Sequence, residues 1–423
     1  MRPDDKLVYA RMFPVHVGVD TGKKHHVMVA RGPDGVAADP ITVQVNRGSF
    51  ERSLERLYAQ FPDVAVDEFL IGLEFAGHHG FTYANFLREQ GHDIVSVLPA
   101  HTKKAKELDD NSPNKSDQID AALISRLTGE GRFVPFPFLS DDLARLKLLV
   151  MQRHRLTVEV TRYKNRLQGM LDLGWPELSG AFSSIEKRTP LAILRRWALP
   201  QDLAAAPPRS VRRLVKKVSR GHVSAAKTRE IIDAARGSIG LPQAAEERRL
   251  EIRHLFQRRD LAREQIRELD TLIEPLVHEC PEGRALLTVP EVSLVCAATI
   301  VTELGDPGTY EHPRQILKLA GMNLVGKESG ISVNGRRWQS KRGRPMLRRQ
   351  LFLLAGRWCH PRGLYREDYL RMLERNGKCR TKAVAALARK LTPMLFRVMK
   401  TGEPFDRELF LANRRRREEV AAD

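Results

Sequence analysis

The N-terminal part of the chain alternates short apolar runs with amphipathic stretches. Apolar and β-branched residues alternate at strand spacing, and one continuous apolar run, residues 69–73, ends in Glu74. The predicted strands are residues 15–20, 26–30, 41–45, 69–74 and 93–99, and the predicted helices are residues 49–61 and 80–90. Residues 1–12 are predicted to be a mobile leader. The pattern therefore predicts an α/β domain that begins with a β-meander.

The middle of the chain has a helical period. Apolar residues recur roughly in heptads over residues 141–173 and again over 252–276, where Arg259 interrupts them. This pattern predicts two long helices. They form either a coiled coil, antiparallel or intermolecular, or the core of an ordinary helical hairpin. Between them, residues 176–240 form a small, helical, basic insert with no acid from 203 to 229. This insert is either a contact for RNA or DNA or a solvated charged hairpin.

These patterns divide the chain into four parts. We expect an α/β domain over residues 13–140, a helical and coiled-coil region over 141–280, and a mainly α C-terminal domain over 281–405. Residues 406–423 form a basic tail, which is expected to be disordered.

The net charge of the chain indicates what kind of partner the protein binds. The formal net charge is +19 and the pI is about 10.0, which favours a polyanion, with nucleic acid as the default. No acid occurs over residues 329–366, although that block contains many arginines and a lysine. Solvated helix faces usually mix charges of both signs, so such a block favours binding. A structural RNA-binding protein of the ribosomal type is the alternative.

The cysteines and the hydropathy of the chain indicate the cellular compartment in which the protein is expected. The four cysteines form no CxxC pair, so a zinc finger is not expected, and scattered thiols fit a reducing environment. The sequence has no apolar run of membrane-spanning length and no pattern typical of a signal peptide. We therefore expect a cytoplasmic protein of a prokaryote, associated with the nucleoid and with no membrane partner.

Four carboxylates stand at the ends of predicted elements. Asp117 and Asp120 are one helical turn apart on one face, where two like charges repel unless a cation lies between them. Asp20 and Glu74 end predicted strands. Separately, each has an ordinary explanation, as helix N-terminal acids, a turn residue or an exposed strand end. Together they have the layout of a ribonuclease H-like fold, in which carboxylates meet over divalent metal; Mg²⁺ prefers such oxygen ligands.

Three motifs resemble those of one transposase family. They are GVDT at residues 18–21, GLEFAG at 72–77 and KSDQIDA at 115–121. In this order they resemble the Asp-Glu-Asp-Asp motifs of the insertion-sequence "one-ten" family, whose N-terminal domain is similar to Holliday-junction resolvases. The resemblance implies that Asp20, Glu74, Asp117 and Asp120 are catalytic acids that bind Mg²⁺.

The resemblance extends to the C-terminal domain. By itself Ser329 is typical of a turn, but the family carries its catalytic serine in an ESG context, followed by a Ser-Lys-Xaa-Gly turn and a Leu-Arg-Arg helix. Here these are ESG at 328–330, SKRG at 340–343 and LRR at 347–349. Ser332 is the second candidate for the nucleophile, and His360 or Lys341 could assist proton or charge handling. The residues expected to contact nucleic acid are Lys115, Arg336, Arg337, Lys341, Arg342, Arg348 and Arg349.

One turn departs from the family pattern. At residues 286–293 the family has a helix-hairpin-helix-like element that contains glycines. This chain has Glu291 and Ser293 at the positions where those glycines are expected. This departure weakens the expectation that the turn grips the DNA backbone.

The family resemblance implies a DNA transposase or recombinase with a serine–phosphodiester intermediate. It further implies donor and target DNA as partners, a non-coding bridge RNA as guide, and a homo-oligomer, a dimer or tetramer, with a composite site. Two other hypotheses remain open: a metal-dependent junction-resolving nuclease that uses the four acids and water, and a non-catalytic nucleic-acid binder.

Overall fold

The structure is a computed structural model that describes residues 3–74, 77–109, 116–326, 328–329, 333–334 and 338–412. The chain forms two compact units, Met1–Phe138 and Leu139–Asp423. Across the described ranges, no helix combines the length and the apolar character needed to cross a membrane.

The first unit is built on a six-stranded sheet with strand order β3-β2-β1-β4-β5-β6. The strands are β1 (Val15–Thr21), β2 (His25–Arg31), β3 (Ile41–Gln44), β4 (Phe69–Glu74), β5 (Asp93–Val97) and β6 (Phe133–Pro135). The first three strands form the predicted antiparallel meander. Strands β4 and β5 then add parallel to β1, and β6 closes the edge in the antiparallel sense. The predicted mixed α/β sheet is confirmed, whereas its assignment as ribonuclease H-like stays a prediction.

Helices cover both faces of this sheet. They are α1 (Pro3–Ala10), α2 (Arg47–Gln60), α3 (Phe81–Glu89), α4 (Pro99–Asp109) and α5 (Asp117–Gly129), with a 3-10 turn at Val66–Glu68. On one face, side chains of α2 and α3 such as Phe50, Leu57 and Tyr83 pack against Val17 and Val19. On the other face, Ile124 of α5 packs with β-strand residues. The acids discussed below lie on the α5 side.

The prediction of a mobile leader at residues 1–12 is wrong. Residues Pro3–Ala10 form α1, and Ala10 is fully buried beside Phe13. The Lys6 ammonium donates a hydrogen bond to the Phe133 carbonyl at 2.6 Å, and the Tyr9 hydroxyl donates to Asp93 at 3.0 Å. The segment carries too few apolar residues to show a helical period, and its order comes from these distant partners.

The second unit is built around two long antiparallel helices, α6 (Asp141–Gly174) and α12 (Ala245–Glu279). Early residues of α6, such as Val150, share a core with late residues of α12, such as Ile273, while Leu171 packs near Ile252. The predicted pair of helices is confirmed and lies within one chain, and the coiled-coil interpretation stays a prediction. Between them the insert folds as α7 (Pro176–Ala181), α8 (Arg188–Arg196), α9 (Pro200–Ala204), α10 (Pro208–Ser219) and α11 (Ala225–Arg236).

The rest of the second unit is mainly helical, as expected. Its helices are α13 (Pro281–Leu287), α14 (Leu294–Leu304), α15 (Pro313–Leu319), α16 (Pro345–Trp358), α17 (Arg366–Arg375) and α18 (Arg380–Thr401), with a 3-10 turn at Pro307–Thr309. Four two-residue strands are described: β7 (Leu324–Val325), β8 (Glu328–Ser329), β9 (Val333–Asn334) and β10 (Trp338–Gln339). They form two ribbons, β7 with β10 and β8 with β9. The predicted tail lies mostly outside the described residues.

Candidate acidic site

Asp20 and Glu74 point to the same face of the sheet. Side chains alternate along a strand, so Gly18 and Asp20 share one face of β1, and Gly72 and Glu74 share one face of β4. The parallel register places Gly18 opposite Gly72 and Val19 opposite Leu73. The two acids therefore stand side by side at the carboxyl ends of neighbouring parallel strands, where α/β proteins gather ligand sites.

Two glycines let α5 lie directly on this face. A Cβ on Gly18 would stand 2.1 Å from the Ala121 carbonyl oxygen and 2.2 Å from the Ser125 nitrogen. A Cβ on Gly72 would stand 1.9 Å from the Thr128 hydroxyl. Because real Cβ contacts are never so short, only glycine permits this approach of helix to sheet.

The close contact also sets the direction of α5. The Ser125 hydroxyl donates to the His16 carbonyl at 2.8 Å, while Ala121, one turn earlier, lies over Gly18. Later helix residues thus match earlier strand residues, and α5 runs opposite to β1. Its first turn, which carries Asp117 and Asp120, consequently lies at the carboxyl ends of β1 and β4.

The electrostatics of Glu74 show which acids converge. Burial raises the pKa of the Glu74 carboxyl above its ordinary value, and the negative charges of Asp20 and Asp120 raise it further. A hydrogen bond with Thr102 and the positive charge of Lys106 act in the opposite direction. Asp20 and Asp120 therefore both lie close enough to Glu74 for their charges to act on its carboxyl group.

Asp120 and Asp117 differ in their surroundings. Asp120 is 17 % exposed and forms an ion pair with Lys106 of α4. Asp117 is 52 % exposed, and its carboxylate oxygen lies 3.5 Å from Nε2 of His25 on β2. Asp117 thus lies on the outer side of the cluster, and its interpretation as a helix N-terminal acid remains open beside the catalytic one.

The acids match a hard divalent cation in the type of ligand atom, but not in their present spacing. Carboxylate oxygens are the ligands that Mg²⁺ prefers, and an ion there would offset the negative charges of Asp20 and Asp120 that act on Glu74. In the described part of the chain, no three His, Cys, Asp or Glu side chains are arranged so that they could hold a metal ion. Lys106 supplies the positive charge beside Asp120, so a metal would compete with this ammonium.

Three neighbours of the acids were not predicted. His25 and Thr102 contact Asp117 and Glu74, yet neither shows a motif, since a lone His or Thr is ordinary in a strand or helix. Lys106 belongs to a run of lysines that precedes α5 in the sequence, and this run was the one available signal for its role.

The C-terminal candidates are described in part. Ser329 lies in β8, where its backbone pairs with Val333 of β9. Lys115, Ser332, Arg336 and Arg337 lie outside the described residues, and so does the side chain of Ser329. Their predicted roles therefore stay predictions.

The predicted SKRG turn is held by its neighbours. The Ser340 hydroxyl donates to Asn323 at 2.6 Å, and Lys341 adopts a left-handed backbone with φ of 53°. The Arg348 guanidinium donates to the Ala320 carbonyl at 2.8 Å and to the Lys341 carbonyl at 3.2 Å. Arg348 thus braces the turn from the helix that follows it, while Arg342 and Arg349 are both exposed.

The turn that departs from the family pattern keeps a glycine-like backbone. Glu291 has φ of 63°, in the left-handed region that favours glycine. Two residues of α16 hold this turn: Arg357 donates to the Glu291 carbonyl at 3.0 Å and Trp358 to the Pro290 carbonyl at 2.7 Å. The Ser293 hydroxyl caps α14 by accepting from the Cys296 amide. The substitutions therefore preserve the turn and replace its backbone freedom with tertiary contacts.

Two models of one protein family match this chain in the expected order. A DEDD transposase model matches residues 17–176, and a model described as transposase of the IS116/IS110/IS902 family matches residues 283–369. Together they span more than half of the chain, and the first covers all four acids.

The chain belongs to the IS116/IS110/IS902 family of transposases.

Relatives of this transposase support the assignment over the whole chain. It is 24% identical over 393 residues to the "Insertion element IS110 uncharacterized 43.6 kDa protein" of Streptomyces coelicolor, covering 92% of this chain and 94% of the relative. It is 24% identical over 402 residues to the "Insertion element IS116 uncharacterized 44.8 kDa protein" of Streptomyces clavuligerus, covering 94% and 96%. A "Pilin gene-inverting protein" of Moraxella bovis is 24% identical over 148 residues, covering 34% of this transposase and 46% of the relative.

The largest part of the transposase that neither family model matches lies between the two matched segments. Residues 177–282 lie between the two family models, and they include most of the basic insert. The second model spans Ser329 and the SKRG turn. The predicted family membership is confirmed, whereas the catalytic roles of the four acids and of Ser329 stay predictions. The role of the insert has to be inferred from its own structure.

Proposed function

We propose that this transposase cuts and rejoins DNA strands of an insertion element through a covalent bond between Ser329 and a strand phosphate. The observation that carries this proposal is the convergence of Asp20, Glu74 and Asp120 at one edge of the sheet, where their charges raise the pKa of Glu74. A cluster of acids with this mutual repulsion is typical of a site for phosphoryl transfer.

The proposed metal ligands are Asp20, Glu74, Asp117 and Asp120. Mg²⁺ held there would supply positive charge to the oxygens of the scissile phosphate. The chain's own residues prepare this site. The α5 helix brings Asp117 and Asp120 to the strand ends, and Lys106 holds the Asp120 carboxylate in place by an ion pair. Thr102 lies beside Glu74 and favours the charged form of its carboxyl group, which lowers its pKa.

The proposed nucleophile is the Ser329 hydroxyl. Its oxygen bonds to phosphorus as the bond from phosphorus to the departing strand oxygen breaks, and the hydroxyl proton passes to a nearby base. The phosphodiester bond energy is conserved in the phosphoserine link, so the strand can be rejoined without an external energy source. The acid-free block around Ser329, with Lys341 and Arg342, supports this assignment by favouring a phosphate at this place.

The proposed partners are donor and target DNA and a structured non-coding RNA, with the active form a homo-oligomer. The net charge of +19 fits polyanionic partners of both kinds. The pilin gene-inverting relative is named for a DNA inversion, which supports strand exchange as the reaction class. If base pairing with a guide RNA selects the sequence, the protein needs to contact mainly the backbone and shape of its nucleic acids.

The test is a search for the covalent intermediate. The protein is incubated with Mg²⁺, end-labelled DNA that carries the element's junction, and RNA from the flanking non-coding sequence, and the products are separated on a denaturing gel. A labelled band that migrates with the protein is expected. It should be absent in Ser329→Ala and in Asp117→Asn.

One alternative has its own supporting observation. The acids form a site in the first unit by themselves, which is what a metal-dependent junction-resolving nuclease requires. That function predicts free cut fragments without protein-linked label, equally strong in Ser329→Ala. This outcome would refute the role of Ser329 and leave the acids as the catalytic residues.

A further inference from the structure

The basic insert contains an open groove between α8 and α10. On α8 the lining residues recur at the spacing of one helix face: Arg188, Leu191, Ala192 and Arg195. The other wall comes from the end of α10. Its members are Lys217, Val218 and Arg220. The groove measures about 390 Å³, and its lining combines three apolar side chains with four basic ones. The groove is thus a concave surface whose charged side chains are all positive.

The cations of the groove have few partners. The side chains of Arg188, Lys217 and Arg220 form no ion pair and no hydrogen bond with the residues that the structure describes. Arg195 alone is engaged, by an ion pair with Asp260 and by lying 4.6 Å over the Phe256 ring. No acid lines the groove. Three cations without an acidic partner therefore line the same groove. An anion bound there would reduce the repulsion between them.

Several other basic residues around the same core are paired with acids, in contrast to the three unpaired cations of the groove. Lys227 lies 3.0 Å from Glu230, Arg236 lies 3.4 Å from Asp233, and Arg249 lies 2.6 Å from Asp202. Arg259 is buried and paired with Glu186. A merely solvated charged hairpin would mix signs on each face. Helices α8 and α10, by contrast, carry no acid at all, so every charged side chain on them is positive.

The positive surface extends beyond the groove. The outward positions of α10 carry further exposed cations. They are Arg209, Arg212, Arg213 and Lys216. Val211 and Val215 anchor the opposite side of α10 in a core shared with α6 and α12. A helix of 12 residues is about 18 Å long, whereas a nucleic-acid duplex carries one charge per about 1.7 Å. The charges therefore match an extended polyanion better than a single small anion.

We propose that the α8–α10 groove, together with the outer face of α10, binds the phosphodiester backbone of a nucleic acid. The cations contact phosphate oxygens, and the apolar side chains of Leu191 and Val218 lie under the sugars. The insert packs on a core that it shares with α6 and α12, so this surface is a preformed site rather than a segment that orders on binding. It lies outside both matched family segments and is independent of strand cleavage.

The experiment measures equilibrium binding by the full-length protein over a range of salt concentrations in EDTA, so that no strand cleavage is involved. The test variant is Arg188→Gln with Lys217→Gln. The control variant is Lys227→Gln with Arg236→Gln, which removes the same charge from α11 of the same insert. The probes are duplex DNA, duplex RNA and single-stranded RNA of equal length. Circular dichroism melting shows that both variants are folded.

The test variant is expected to bind more weakly than the control variant on at least one probe. The slope of log K against log salt should fall by about 0.9 on duplex DNA, and by about 0.7 on a single strand, for each phosphate that the test variant no longer neutralises. The probe that shows the larger change identifies whether the backbone is that of DNA or of RNA. Equal affinities and slopes for the two variants on every probe would overturn the proposal.

Discussion

Single residues decide how closely α5 can approach the sheet, and Gly18 is the most constrained of them. Its missing Cβ leaves room for the backbone of Ala121 and Ser125, which no side-chain rotation can move away. A methyl group at this position must push the helix, and with it Asp117 and Asp120, away from Asp20 and Glu74.

We therefore expect Gly18→Ala to destabilise the first unit by about 3 kcal/mol or more and to abolish strand cleavage. Urea unfolding followed by circular dichroism, together with the gel assay, checks both effects. Gly169→Ala is the matched control, because nothing lies within 4 Å of that Cβ and the residue is inside helix α6. It should stabilise the protein by about 0.5–1 kcal/mol, and similar behaviour of the two variants would contradict the argument.

The protonation of a second residue, His26, is expected to make the stability of the first unit depend on pH. It is fully buried on β2, stacks on Tyr83 at 5.4 Å, and neither ring nitrogen has a hydrogen-bond partner among the described residues. Burial lowers the pKa of His26 from 6.5 to about 4, and the charges of His25 and His79 act in the same direction.

The folded state consequently binds fewer protons at His26 than the unfolded state between pH 6.5 and about 4. Stability is fully present above pH 6.5 and is lost as pH falls toward 4, by up to about 3 kcal/mol from this residue. His26→Phe keeps the stacking and removes the titration, so its melting temperature should fall less between pH 7 and pH 4.5 than that of the wild type. Parallel curves for the two proteins would refute this assignment.

Among the elements, the junction between the insert and α12 depends on an ion pair. Arg259 interrupts the apolar pattern of α12, and the structure explains why: its guanidinium is 4 % exposed and lies 3.1 Å from Glu186. Arg263 donates to the same carboxylate oxygen at 3.1 Å. The residue that looked like a break in a coiled coil thus joins α12 to the segment before α8.

Glu186→Gln should destabilise the second unit by about 3 kcal/mol, because it leaves the buried Arg259 charge with Asp260 as its remaining partner. The midpoint of urea unfolding measures this loss. Asp233→Asn, which removes an exposed pair on α11, should cost about 0.5 kcal/mol or less. Equal shifts of the midpoint in the two variants would show that the Arg259 pair does not hold the insert.

For the whole molecule, the proposed function requires the acids of the first unit and Ser329 of the second to act on the same phosphate, either within one chain or across protomers. If they combine across protomers, mixing Ser329→Ala with Asp120→Asn restores intact sites, about a quarter of the total for random assembly of a symmetric dimer. The covalent band on the denaturing gel should then reappear in the mixture. A mixture as inactive as each variant by itself would place both halves of the site in one chain.

The secondary structure was largely predictable where one face of an element is buried. Strands β1, β2, β3 and β5, helices α2 and α3, and the two long helices show a period in the sequence. Strand β4, which is buried on both faces, was indicated by its continuous apolar run, and α5 by the spacing of its two acids. Helix α4 buries only Thr102 and has no apolar stripe, so no period indicated it. The same reason hid α1, whose order depends on partners such as Phe133, far away in the chain.

The four acids were found from the sequence because each stands in a local motif at the end of an element. The basic insert was likewise visible, since charge and helical period are local properties. The way in which the acids and the helices of the insert come together in space was not visible in the sequence. The convergence of Asp20, Glu74 and Asp120 depends on Gly18 and Gly72 meeting residues more than a hundred and more than fifty positions away, respectively. Which cations of the insert are paired depends on acids placed on other helices. Local periodicity fixes which faces are apolar, whereas only the packing of those faces brings distant charges together.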